Sequence, residues 1–260
     1  MAPFDKVIVP LVTPFTDDTA TISEVRLARE IRFHIDRGAA GFLVCGEIGD
    51  FTSLSASERK TVLEWTMRDA HGLPVYVNAT AQTTASAADL CQHAARHGAR
   101  GAVVAGPPTG IIHASELRMH FAAVMRHGNM HVSFVGPPGF FESVSDSAGP
   151  VLERATSLAK MGAGDYCLMP DVHTDEVAFG DLVATPLAVF GADKLPQLID
   201  GWDTFGPILI SMVGEDGLSR FAHAALSESS LDVGYSRGPV QPLGPEPSKA
   251  LESIVAAIQA

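Results

Sequence analysis

Residues 41–60 read Gly-Phe-Leu-Val-Cys-Gly-Glu-Ile-Gly-Asp-Phe-Thr-Ser-Leu-Ser-Ala-Ser-Glu-Arg-Lys, and no other stretch constrains the fold as strongly. A short apolar run, a glycine-bracketed loop and a capped helix follow one another in the order that a parallel βα unit requires. In such units the loop after the strand carries the chemistry. This loop, Gly46 to Asp50, holds two carboxylates, Glu47 and Asp50, and has no Ser or Thr between its ends. The helix start is marked by Ser55-Ala-Ser-Glu58, a capping box in which hydroxyl and carboxylate satisfy the first turn.

The same alternation runs through the chain. Apolar runs predict strands at 7–12, 41–45, 74–78, 101–105, 131–135, 166–169, 187–190 and 208–212. Segments with helical period predict helices at 22–37, 55–69, 85–97, 115–127, 151–161, 175–184 and 218–226. Eight strands separated by crossover helices make an α/β protein, a (β/α)8 TIM barrel, because each right-handed crossover packs its helix outside the ring. The barrel is expected over 1–228. A short C-terminal helical tail over 229–260 is expected to contain a Gly/Pro-rich connection, 234–247, and one amphipathic helix, 248–260.

Composition narrows the function. Acidic residues outnumber basic ones by 30 to 18, and a net charge of −12 repels phosphate backbones and anionic lipid, so nucleic acid and membrane partners are not expected. No apolar run approaches the ~18 residues of a membrane span, and the start Met1-Ala-Pro-Phe-Asp-Lys lacks a secretory leader pattern, so a cytoplasmic location is expected. Cys45, Cys91 and Cys167 show no Cys-x-x-Cys spacing and read as small buried apolar groups. His93 and His97 share a helix face, but no His-Glu-x-x-His pattern surrounds them, and they read as structural. Nucleotide-binding glycine motifs and the Gly-x-Ser-x-Gly elbow do not occur.

Several segments together resemble the dihydrodipicolinate synthase and N-acetylneuraminate lyase superfamily of aldolase-type barrels. They are Pro10-Leu-Val-Thr-Pro-Phe15, Gly46-x-x-Gly49-acid, Leu54-Ser-x-x-Glu58-Arg59, Gly98-Ala-Arg-Gly101 with Pro107, and Ser236-Arg-Gly-Pro-Val-Gln-Pro-Leu243. The first half matches throughout and the second half in outline. The resemblance implies a lyase that holds a keto acid as a Schiff base on a lysine at the end of strand six. It also implies a tyrosine after strand five that relays protons with a Thr or Ser of the glycine loop.

This chain departs from that pattern. Phe134 stands at the tyrosine position and Ile48 at the relay position, beside Glu47. The lysine has two alignments. Lys160 lies in the string Lys-Met-Gly-Ala-Gly-Asp165, inside a segment of helical period; the alternative alignment ends the Tyr166–Met169 strand at Pro170-Asp171 and leaves no lysine there. The arginine that the family uses to grip a carboxylate is replaced by a stretch Gly136-Pro-Pro-Gly-Phe140.

The strand ends then nominate Lys194, Glu47, Asp171 and His173 as catalytic candidates, and Thr13, Gly46, Ile48, Gly49, Asp50, Asn78, Thr109 and Phe134 as substrate-binding ones. The expected ligand is a small carbonyl or carboxylate compound, without a cofactor or a resident metal, in a protein that forms homo-oligomers. Three readings stay open: a divergent lyase, a non-catalytic paralogue for ligand sensing or partnering, and metal-assisted acid–base chemistry. The last would draw on Glu47, Asp50, Asp171, His173 and Asp193.

Overall fold

The computed structural model describes residues 7–108, 113–135, 177–179, 182–184 and 186–259. Strand β1 (Val7–Pro10) leads through helix α1 (Glu24–Ile35) to β2 (Gly41–Val44). A short 3-10 turn, Phe51–Ser53, precedes α2 (Ala56–Asp69); then come β3 (Val75–Asn78), α3 (Thr84–Arg96), β4 (Gly101–Ala105), α4 (Ala114–Gly128) and β5 (Val132–Val135). These five units fall where the hydrophobic period puts them. The caps agree as well: Ser23 and Thr83 accept from the backbone N–H groups of Arg26 and Ser86, and Ser55 with Glu58 closes the expected capping box.

The described strands lie in the order β5-β4-β3-β2-β1-β7-β6, where β6 is Val177–Phe179 and β7 is Leu182–Ala184. Strands β1 to β5 are sequential parallel neighbours, and β1 pairs on its other side, also in parallel, with the late strand β7. A first strand flanked by the second and by a late one is the arrangement of a (β/α)8 barrel, which is the fold of this chain.

Register divides the strand residues into two faces. Val7, Val9, Phe42, Val44, Val75, Val77, Ala102, Val104, Val132 and Phe134 join Leu27, Ile31, Leu63, Leu90 and Phe121 of the helices in one apolar core. Ile8, Leu43, Tyr76, Val103 and Ser133 lie on the opposite face, which lines the barrel, and all are buried. Glycine is needed there at two places. A Cβ on Gly41 would stand 2.6 Å from Ile8 Cδ1, and one on Gly101 would stand 3.2 Å from the Tyr76 ring.

Three expectations in the second half are corrected. Where a helix is expected over 175–184, the described residues form the antiparallel strands β6 and β7. The strand expected at 187–190 is a 3-10 turn, Pro186–Phe190, in which Leu187 to Phe190 are all buried, and Phe190 packs edge-on against Phe221 at 5.8 Å. The strand expected at 208–212 lies inside a helix. After a second short 3-10 turn, Ala192–Lys194, the chain is helical in α5 (Leu195–Asp200), α6 (Trp202–Asp216), α7 (Leu218–Glu228) and α8 (Pro245–Gln259). In α6, Leu209 and Met212 are buried while Ile208 is exposed, a spacing of three that belongs to a helix and is hidden in a short, mostly apolar run. The expected strand 166–169 and helix 151–161 lie outside the described residues. No described helix is long and apolar enough to cross a membrane.

Candidate active site at the ends of the parallel strands

The loop after β2 is built by contacts on every side. Thr13, itself fully buried, donates its hydroxyl to the carbonyl of Gly49 at 2.7 Å, joining the loop after β1 to the loop after β2. Gly49 must be glycine, since a Cβ there would lie 2.9 Å from the carbonyl oxygen of Leu11. Cys45 and Asp50, at the two ends of the loop, both hold left-handed backbone, with φ of 56° and 55°. Non-glycine residues in that region carry strain, and the surrounding contacts must hold them in it. Behind the loop after β1, the backbone N–H of Val12 donates to Glu30 of α1 at 2.8 Å. Burial raises the Glu30 carboxyl well above its ordinary range.

Arg59, the last residue of the Leu54 to Arg59 motif, is buried and reaches inward. Its Nη1 and Nη2 donate to the carbonyls of Thr80 and Asn78 at 2.7 and 2.5 Å. Asn78 Oδ1 accepts from the Thr80 N–H, and Thr80 Oγ1 accepts from the Ala105 N–H. One guanidinium and two polar side chains therefore fix the ends of β3 and β4 relative to α2.

Asp50 faces the C-terminal segment. Burial raises its carboxyl above the usual carboxylate range, opposed by hydrogen bonds from Ser219, Ser236 and the backbone N–H of Arg237. Its Oδ2 has no hydrogen-bond partner and lies 4.0 Å from His223 Nε2, which has none either. The His223 Nδ1–H donates to the Gly234 carbonyl at 3.2 Å, and burial holds its pKa down to about 4, so the imidazole is neutral at pH 7 and turns a lone pair toward Asp50. A cavity of 240 Å³ lined by Arg220, His223, Ser227, Glu228, Tyr235 and Ser236 adjoins this pair.

The nominated residues separate. Thr13, Gly46, Glu47, Ile48, Gly49, Asp50 and Asn78 cluster at the C-terminal ends of β1 to β3. Of these Glu47 is exposed, while Ile48 is buried in the apolar core. Lys194 does not join them, which corrects its nomination. The turn Ala192–Lys194 docks on the far end of α1, where the Asp193 N–H donates to the Arg37 carbonyl at 3.1 Å, beside the start of β2. That is the opposite end of the strands, so Asp193 does not converge with Glu47 and Asp50 either. Phe134 is corrected too: its ring stacks on Phe121 of α4 at 4.3 Å, outside the barrel wall. Ser133 of β5 lies on the lumen face, and its buried hydroxyl has no hydrogen-bond partner. Alternation along β5 carries that signal, although the resemblance drew attention to the aromatic ring instead. Asp171, His173 and Thr109 lie outside the described residues, as does Lys160.

Comparison with known proteins follows the same division of the chain. The model of the dihydrodipicolinate synthetase family matches residues 3–133, half of the chain. The chain belongs to this family. It is 33% identical over 137 residues to the 4-hydroxy-tetrahydrodipicolinate synthase of Rhizobium meliloti, covering 52% of this chain and 46% of that protein. It is 37% identical over 119 residues to a DapA-like lyase of Pyrococcus abyssi, covering 45% and 40%. The matched stretch thus spans about half the length of the curated relatives. Solved structures extend the likeness of fold to the whole chain. Dihydrodipicolinate synthase from Oceanobacillus iheyensis superposes with a TM-score of 0.77 at 16% identity, covering 99% of this chain and 97% of that one. N-acetylneuraminate lyase from Mycoplasma synoviae does so with 0.72 at 15%, covering 99% of each.

Proposed function

We propose that this family member is an aldolase-type lyase that binds a small keto acid or aldehyde at the C-terminal ends of β1 to β5 and works without the Schiff-base lysine and the tyrosine relay. The observation that carries the reading is the loop from Gly46 to Asp50. It is held from beneath by Thr13 and Gly49 and from the side by Asp50, and it presents Glu47, an exposed carboxylate, beside the position where the family has a hydroxyl. A carboxylate on a fixed loop can take and return the proton that a relay hydroxyl would carry. The buried Ile48 has no proton to give. Among the described lysines, Lys60 is paired with Asp89 on the outer helices, Lys194 stands at the opposite end of the strands, and Lys249 is exposed on α8.

The test combines trapping with binding. The protein is incubated with pyruvate, other 2-keto acids and small aldehydes, with and without borohydride, and then weighed intact; thermal denaturation is followed in parallel. The expected result is stabilisation by at least one carbonyl compound with no mass gain on reduction, and a turnover that falls about 100-fold in Glu47→Gln. A reduced adduct on Lys160 would overturn the lysine-free chemistry. Absence of stabilisation across the panel would overturn the ligand class.

A further inference from the structure

On the outer surface of the barrel, away from the loop at Gly46, α2 and α3 bring together three side chains that the family motifs do not include. His93 in the last turn of α3 and His97, its C-terminal cap, lie with ring centroids 4.1 Å apart and planes tilted by 33°. Glu64 of α2 stands opposite, its Oε1 3.0 Å from His93 Nε2 and 3.8 Å from His97 Nε2. The three donor atoms all lie within 4.8 Å of one another. We propose that Glu64, His93 and His97 form a binding site for a divalent transition metal of the zinc class, which clamps α2 to α3.

The two spacings from the carboxylate fit the ion, and the two imidazole nitrogens lie within 4.8 Å of each other, close enough to converge on it. Two ligand atoms at 2.0–2.1 Å from a tetrahedral centre stand about 3.3 Å apart, and the observed 3.0 and 3.8 Å bracket that value. Two imidazoles and one carboxylate suit Zn²⁺, Ni²⁺ or Cu²⁺ rather than Mg²⁺, and leave a coordination position open to water. The tautomer of His97 is already set: its Nδ1–H donates to the His93 carbonyl at 2.9 Å, as the outer nitrogen of a metal-bound imidazole does, and this leaves Nε2 as a lone pair. His93 Nε2 is buried and makes no aligned hydrogen bond, although the Glu64 oxygen is near it. Such a nitrogen is costly unless something completes it.

The surrounding charge is mixed. Lys60 and Arg96 face His93 and oppose a cation, but Lys60 is held by Asp89 at 2.6 Å and Glu64 supplies a compensating charge.

Untagged, metal-stripped protein titrated with Zn²⁺ by calorimetry, with thermal denaturation alongside, tests the proposal. One ion per chain is expected, with Tm rising roughly 5 °C at a hundredfold excess over Kd. Mg²⁺ should have no effect. His97→Gln and Glu64→Ala, both at partly exposed positions, should each weaken Zn²⁺ binding at least tenfold while leaving the circular dichroism and the metal-free Tm in place. Undetectable binding, or Zn²⁺ binding that persists unchanged in either variant, would overturn it.

Discussion

Arg237, in the connection before the last helix, donates its Nη2 to Glu58 Oε1 at 2.6 Å and its Nη1 to Glu58 Oε2 at 3.2 Å, closing a contact across 179 residues of sequence. The same guanidinium lies 4.6 Å above the ring of Phe15, and its Nη1 also donates to the Ser53 carbonyl. Three of the segments that carry the family resemblance, Pro10 to Phe15, Leu54 to Arg59 and Ser236 to Leu243, therefore meet at one point. Their residues are spent largely on holding the strand-end loops against the C-terminal helices.

That ion pair makes the protein sensitive to acid. Hydrogen bonding from Arg237, reinforced by Ser55, lowers the Glu58 pKa to about 2. A carboxyl depressed on folding contributes stability that is present above its unfolded pKa and is lost as pH falls through its folded one, here between roughly pH 4.5 and 2. Glu58→Gln keeps the cap and removes the charge. It should cost about 1–2 kcal/mol at pH 7, a cost that shrinks toward zero near pH 2 in denaturation curves. A cost independent of pH would contradict the assignment.

Asp50 should behave with the opposite sign. Its carboxyl is raised by burial, so its contribution is greatest in acid and is lost as pH rises through its folded pKa. Asp50→Asn, neutral throughout, is expected to flatten the decline in stability that the wild type shows above the usual carboxylate range. Chemical denaturation of both proteins from pH 4 to 7 checks it; parallel curves would refute it.

The buried Arg59 is expected to be the most sensitive position of the motif. Arg59→Leu fills much of the volume but leaves the carbonyls of Asn78 and Thr80 without their donor, at a cost of about 2–4 kcal/mol. Urea denaturation measures it. A loss below 1 kcal/mol would mean that water replaces the guanidinium.

Two substitutions should loosen the loop itself. Thr13→Val removes the donor to the Gly49 carbonyl at about 1–2 kcal/mol, and Gly49→Ala places a methyl against the Leu11 carbonyl at about 1–3 kcal/mol. Both should also weaken any carbonyl ligand that stabilises the wild type. Stability loss without loss of ligand affinity would place the binding site elsewhere.

The first half of the fold was legible from local chemistry. Period, glycine placement and the Ser55–Glu58 cap mark five strands and four helices, and each signal is confined to a few consecutive residues. The second half was less so, because the apolar runs 187–190 and 208–212 are too short for their period to tell a strand from a buried turn or helix. Tertiary packing decided them: Leu209 and Met212 turn one way and Ile208 the other.

The site divides along the same line. The sequence by itself determined the barrel, the family and the loop with Glu47 and Asp50, since a parallel strand ending in glycines leaves few other folds open. Only the tertiary structure decided which side chains meet. It sent Lys194 to the opposite end of the strands, turned Phe134 outward and Ser133 inward, and set His223 against Asp50 and Glu64 against two histidines. Strand register and helix docking bring together residues far apart in the chain, and no local pattern encodes those distances.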